Sequence, residues 1–149
     1  ALRNDGRRFR LPGIYGPGRS ALDRVVAGQA HRTGIEGQLF SRIHVDDIAG
    51  AVIASLSSAA TGAFNIADDT PASQDAVVEA AAAMLGLPPP PLVALDQLSP
   101  AARAFYAENR RVATGRAKRL LGWQPRYRHY RDGLAACLGQ MDARGTIHG

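Results

Sequence analysis

Five of the seven residues in Pro12-Gly13-Ile14-Tyr15-Gly16-Pro17-Gly18 are glycine or proline, and no other stretch limits the fold as strongly. Proline brings no backbone N–H and glycine loses the most freedom on ordering, so the stretch predicts a loop rather than a strand or helix. The residues before it, Arg8-Phe9-Arg10-Leu11, alternate at period two and predict a strand that runs into this loop. Small residues at the carboxyl end of a strand let backbone groups approach a ligand closely, which makes the loop the best candidate site. It is not the phosphate-binding fingerprint, because Gly13-x-x-Gly16-x-Gly18 reverses the order of Gly-x-Gly-x-x-Gly, and a purely structural turn is the alternative reading.

The remaining pattern is α/β. Ser20 with Asp23 three residues on predicts a capped short helix ending near Gly28. Residues 30–44 predict short extended pieces, Asp46 or Asp47 can cap a helix carrying Ile48, Val52, Ile53 and Leu56, and Ala63 to Ala67 predict a buried strand. Asp68-Asp69-Thr70-Pro71 predicts a turn, and Ser73 caps a helix that Gly86 closes. Pro88 to Pro91 predict an extended linker leading to a short strand at Leu92 to Leu95. Ser99-Pro100 opens a helix to about Glu108, Thr114 to Leu121 form another closed by Gly122, and Tyr130 to about Met141 form the last, with Cys137 packed inside it.

At 149 residues, 46% of them apolar, one domain over 1–149 is expected. No apolar run approaches the roughly 20 residues of a membrane span, and Ala1 to Arg10 lack the apolar core of a signal peptide, so a cytoplasmic location without membrane partners is expected. The basic residues are 17 arginines and the single Lys118. Residues 1–100 carry a net −2 and residues 101–149 a net +7, which leaves an anionic ligand open and a solvated basic face as the bland alternative. His31, His44, His129 and His148 are scattered without metal-ligand spacing, so no metal is expected. No Gly-x-Ser-x-Gly supports a serine nucleophile, and the Asp46-Asp47 and Asp68-Asp69 pairs sit where caps and turns want aspartate. Tyr15 would need a cationic neighbour to serve as an acid or base near neutrality, and four residues on stands Arg19, not lysine.

The motif Arg10-Leu11-Pro12-Gly13-Ile14-Tyr15-Gly16-Pro17-Gly18-Arg19 resembles the strand and loop that follow the catalytic helix in extended short-chain dehydrogenases/reductases, the NAD-dependent epimerase/dehydratase group. Phe40-Ser41-Arg42-Ile43-His44-Val45-Asp46-Asp47 resembles the family's isoleucine-histidine-valine-aspartate box. Gly62 to Asp69 resemble its next strand, and Lys118-Arg119-Leu120-Leu121-Gly122-Trp123-Gln124-Pro125 with Tyr130 to Leu134 resemble its terminal signature. The resemblance implies the C-terminal part of a Rossmann-type sheet with a small mixed α/β substrate-binding subdomain. It also implies that the dinucleotide-binding half, absent from these residues, would hold NAD or NADP. Pro12, Gly13 and Ile14 would then lie beside the nicotinamide, and Tyr15, Gly16, Pro17, Gly18, Arg19 and Arg42 would face a small-molecule substrate. Arg110 and Arg111 would suit an anionic group, with ordinary surface placement weighed equally.

The family's Tyr-x-x-x-Lys is missing, since Thr114 stands four residues before the only lysine, so no catalytic residue is assigned and the isolated chain is expected not to turn over. Nucleotide-sugar epimerases carry an arginine where Phe40 stands, a departure that points toward the atypical branch of the family. Competing readings are a non-catalytic interaction module derived from this family and, more weakly, a basic nucleic-acid binder built on Trp123, Tyr127 and Tyr130 among arginines. The strand at Phe9 to Leu11 is expected to leave an unpaired edge that favours self-association into a homo-oligomer.

Overall fold

The computed structural model describes residues 6–107 and 111–144. Its elements run in the order β1 (Arg7–Arg10), β2 (Gly13–Tyr15), α1 (Ala21–Val26), β3 (Arg42–His44), α2 (Val45–Ser55), β4 (Gly62–Asn65), α3 (Gln74–Met84), a 3-10 turn at Leu95–Gln97, α4 (Pro100–Tyr106), α5 (Gly115–Leu121) and α6 (Tyr130–Arg144). The α/β reading holds. No helix among the described residues is long and apolar enough to cross a membrane.

Gly13–Tyr15 form a strand, against the expectation of a loop. They pair in parallel with Arg42–His44, so the pairing energy comes from a segment nearly thirty residues away that local composition does not report. Pro12 marks the switch from one pair to the other, because β1 pairs in parallel with β4. The two pairs are stitched together as the chain leaves β4: Ile66 N–H donates to Arg10 O at 3.1 Å and Asp68 N–H donates to Arg42 O at 2.7 Å.

Three further expectations are corrected. His44, not Asp46 or Asp47, caps α2, because its Nδ1 accepts from Asp46 N–H at 3.0 Å. Leu92 to Leu95 make no strand; Leu92 contributes one parallel bridge to Arg32, and the chain then turns into the 3-10 segment. The helix from Ser99-Pro100 ends at Tyr106, and Glu108 lies outside the described residues. The Ser20–Asp23 capping box, the Ser73 and Ser99 caps and the left-handed Gly122 closing α5 all form as read.

Two hydrophobic clusters hold these pieces. In one, α1, α3 and α6 bury Leu22, Val78, Leu134 and Cys137 around Tyr15. In the other, α2 and α5 cover the strands through Ile43, Phe64, Ile66, Leu121 and Trp123. The sheet edges differ. Arg116 seals the outer edge of β4, its guanidinium donating to Ala63 O at 3.0 Å and Thr61 O at 2.9 Å and lying over the Phe64 ring. On β1, Gly6 and Arg10 turn their carbonyls to β4, so by the period-two alternation Phe9 and Leu11 turn their N–H and C=O groups the other way. No described residue meets them there, which leaves an open edge on the side where β1 carries half-buried Phe9 and exposed Leu11.

Candidate functional site

Strand β2, the amino end of β3 and the helices around them enclose a cleft of about 330 Å³. β2 and its loop give Gly13, Ile14, Tyr15 and Arg19, and α1 with its cap gives Ser20 and Arg24. Arg42 comes from β3, Gln74 and Val77 from α3, Phe105 from α4, and Tyr130 and Leu134 from α6. Among the described residues its lining contains three arginines and no carboxylate. A second groove of about 300 Å³ adjoins it, lined by Leu11, Pro12, Gly13, Phe40, Ser41, Arg42, Gln74 and Phe105. The two share Gly13, Arg42, Gln74 and Phe105, so these residues form the wall between them.

Arg42 is held rigidly. Its Nη1 donates to Phe40 O and Ala72 O, both at 3.0 Å, and its Nη2 donates to Gln74 Oε1 at 3.1 Å. Burial pulls its pKa below the usual guanidinium value, opposed chiefly by Asp68. Arg19 and Arg24 are exposed, and among the described residues neither guanidinium has a hydrogen-bond or ion-pair partner. They are the exposed positive charges of the cleft, and Arg42 is the one held by hydrogen bonds.

Tyr15 stands at the floor with its ring edge-on to His44, 5.2 Å between centroids, and only 8% exposed. Its buried hydroxyl has no hydrogen-bond partner among the described residues and points at α6, where a Cβ on Gly133 would come within 1.8 Å of it. Burial, then the nearby Asp68, push its pKa above the ordinary phenol value, the reverse of what acid or base work near neutrality requires. Burial likewise lowers the pKa of His44, whose Nδ1 accepts the cap bond and whose Nε2 faces Cys137 Sγ at 3.8 Å, so the imidazole is a neutral structural group.

Asp68 is the most perturbed carboxylate of this region. Its Oδ1 accepts Thr70 N–H at 3.0 Å, the turn read from the sequence, while the buried Oδ2 lacks a partner among the described residues. Burial raises its pKa from 3.8 to about 7, against the lowering effects of the Thr70 bond and Arg42. A carboxyl with a raised folded-state pKa stabilises the fold fully below 3.8, and that contribution is lost as pH rises through about 7. Asp68→Asn keeps the Thr70 acceptor and removes the ionisation. The variant is expected to match the parent's melting temperature below 3.8 and exceed it by several degrees above 7; parallel curves for the two proteins would refute this.

Asp47 does more than sequence reading allowed it. Its buried carboxylate accepts Arg126 N–H at 2.6 Å and Tyr127 N–H at 3.1 Å, and its backbone carbonyl accepts the Trp123 indole at 3.1 Å. One aspartate thereby fastens the segment carrying Trp123 and Tyr127 to α2, which places those aromatics in the packing and not on a stacking platform. Lys118, the lone lysine, pairs with Asp69 at 2.5 Å and does not line the cleft.

Of the residues singled out from sequence, Gly13, Ile14, Tyr15, Arg19 and Arg42 line the cleft and Pro12 lines the adjoining groove. Gly16, Pro17 and Gly18 line neither; Gly16 is required where it stands, since a Cβ there would meet Val45 Cγ2 at 2.6 Å. Arg111 is exposed and lines neither cavity, and Arg110 lies outside the described residues. Arg24, Gln74, Phe105 and Tyr130 were not anticipated. They come from four different helical segments and share no spacing; the only available signal was that Tyr130 belongs to the terminal motif.

No protein-family model matches the chain. A 3-diazoavenalumate denitrifying reductase from a Streptomyces species is 34% identical over an alignment of 140 residues that covers 87% of this chain and 46% of that enzyme. A structure of a functionally unknown conserved protein from Silicibacter pomeroyi superposes with a TM-score of 0.82 at 44% identity, over 89% of this chain and 48% of that one. The dTDP-glucose 4,6-dehydratase of Bacillus anthracis, solved in complex with NAD, superposes with a TM-score of 0.68 at 18% identity, over 91% of this chain and 44% of that one. The chain thus spans about half the length of the relatives it matches. With its parallel strands, its motif order and these superpositions, the chain carries the fold of the C-terminal half of an extended short-chain dehydrogenase/reductase of the NAD-dependent epimerase/dehydratase group.

Proposed function

We propose that this chain is the substrate-binding wall of an NAD(P)-dependent reductase, and that a dinucleotide-binding half supplies the cofactor seat and the proton-transfer groups. The observation that carries the reading is the pairing of two adjoining cavities just past the carboxyl end of β1, along β2 and the amino end of β3: one lined, among the described residues, by three arginines and no carboxylate, the other formed along Pro12 and Gly13. Leu11 and Pro12, directly after the carboxyl end of the parallel strand β1, line the groove, and a crevice past the carboxyl ends of parallel strands is where α/β proteins hold ligands.

The groove suits the flat end of a dinucleotide, since Gly13 leaves its side-chain direction open, with Ser41 O the nearest atom at 3.9 Å. The chain has no glycine fingerprint for the diphosphate, so only that end fits here. When bound, the nicotinamide supplies or accepts hydride. The chain's own residues do the rest. Arg19 and Arg24 draw in and orient an anionic substrate, Arg42 presents a fixed positive charge beside the shared wall, and Ile14, Val77, Phe105 and Leu134 exclude water. The reductase relative supports redox chemistry over epimerisation as the activity of the whole protein.

The open edge of β1 gives the test. In a fusion of this chain to the first half of the Silicibacter pomeroyi protein, the Phe9 and Leu11 amides are expected to gain hydrogen-exchange protection that they lack in the isolated chain. The fusion should also quench or shift NADH fluorescence. Equal protection in both proteins, with no NADH signal from the fusion, would contradict the proposal.

A further inference from the structure

The cleft carries enough chemistry to name its ligand class. Its charge is positive, and Arg19 and Arg24 lack partners among the described residues. Much of the rest of its lining is flat or aliphatic. Phe105 stacks on Phe40 with centroids 4.7 Å apart and an 11° tilt, which backs the ring and fixes its orientation beside the cleft, and Ile14, Val77 and Leu134 add apolar walls.

Two of its neutral polar groups, the Ser20 hydroxyl and the Gln74 side-chain oxygen, are committed within the protein. Ser20 Oγ accepts Leu22 N–H at 3.1 Å and bonds the Asp23 carboxylate at 3.1 Å. Gln74 Oε1 accepts Arg42, and the Tyr15 hydroxyl is turned toward Gly133. A ligand rich in hydroxyls would give up its water shell here to a lining made largely of arginine, aromatic and aliphatic side chains. A cleft of about 330 Å³ is also near the lower end of ligand sites, which run from roughly 300 Å³ upward.

We infer that the cleft takes a small aromatic carboxylate, its acid group on Arg19 and Arg24 and its ring along Phe105, in preference to a nucleotide sugar. The inference rests on the proposed reading of this cleft as the substrate pocket. Arg42 remains a positioning residue, since three of its five N–H donors are bonded to backbone carbonyls and to Gln74 and hold the guanidinium in place.

The test is calorimetric titration of the 149-residue chain with cinnamate, cinnamyl alcohol, inorganic phosphate and UDP-glucose. Cinnamate is expected to bind most tightly, and the alcohol, which keeps the ring and loses the charge, roughly tenfold or more weakly. Arg19→Gln and Arg24→Gln, both at exposed positions, should each weaken cinnamate by roughly tenfold with unchanged circular dichroism. Phe105→Leu should weaken cinnamate and leave phosphate unaffected.

The inference is overturned by UDP-glucose or phosphate binding more tightly than cinnamate, by arginine variants that bind like the parent, or by a folded chain that binds no cinnamate. The same titration in the fused protein reads the site with β1 covered. Amide protection at Phe9 and Leu11, which involves none of these side chains, reports on the substrate-wall reading separately.

Discussion

Asp47→Ala is expected to lower the melting temperature of the chain by about 6–12 °C, from the loss of about 3 kcal/mol and the usual scaling for a domain of this size. The carboxylate is 3% exposed and accepts two backbone N–H groups, at 2.6 and 3.1 Å, from a segment 79 and 80 residues further along the chain. Alanine leaves both amides without their acceptor and exchanges a charge-assisted pair for nothing, which is the costly direction of a hydrogen-bond deletion. Asparagine does not rescue it. One amide oxygen can serve one of the two donors, but the NH2 group then faces the other, so Asp47→Asn should recover less than half of the loss. Thermal denaturation followed by circular dichroism checks both variants, and a shift under about 2 °C for alanine would show that the clamp carries little of the stability.

Gly133→Ala is expected to destabilise by about 2 kcal/mol, although alanine is the better helix former by about 1 kcal/mol. Gly133 sits in α6 facing Tyr15, and an added Cβ would lie 1.8 Å from the Tyr15 hydroxyl, 2.6 Å from Cζ and 2.9 Å from Cε2. A tyrosine ring pinned between His44 and α6 cannot yield by a rotamer change alone, so overpacking outweighs propensity. The strain falls on the floor of the cleft, so cinnamate affinity should drop with stability. Tyr15→Phe removes the nearest atom in the clash and leaves Cζ. The double variant Tyr15→Phe/Gly133→Ala should therefore recover part of the lost stability relative to Gly133→Ala alone. Full additivity in a double-mutant cycle would place the cost elsewhere.

The legible parts of the fold are those whose signal is local. Ser20 with Asp23, Ser73, Ser99-Pro100 and Gly122 each satisfy or close a helix end within a few residues, and all of them form as read. What escaped is long-range. Gly13–Tyr15 became a strand because Arg42–His44 offered a partner, and no window of residues around Pro12 contains that information. Asp47 reads as one more helix-start aspartate until the chain returns with Arg126 and Tyr127 beside it. His44 took the cap position because its imidazole nitrogen, held close by burial, does the work expected of the two aspartates that follow.

The site shows the same division. The stretch from Pro12 to Arg19 was visible through its glycines and prolines, and Pro12, Gly13, Ile14, Tyr15 and Arg19 of it line the two cavities. Arg24, Gln74, Phe105 and Tyr130 converge on the cleft only through the packing of α1, α3, α4 and α6. The open edge of β1 was foreseen from the strand assignment; that Arg116 seals the opposite edge at β4 was not, since the arginine comes from α5.

The central claim is that these residues shape a substrate pocket whose nucleotide-holding partner is another stretch of polypeptide, and calorimetric titration with NAD(H) and NADP(H) addresses it directly. The account predicts no saturable heat from the 149-residue chain and stoichiometric binding by the chain fused to a dinucleotide-binding half. Tight, stoichiometric capture of either nucleotide by the 149 residues alone would contradict it.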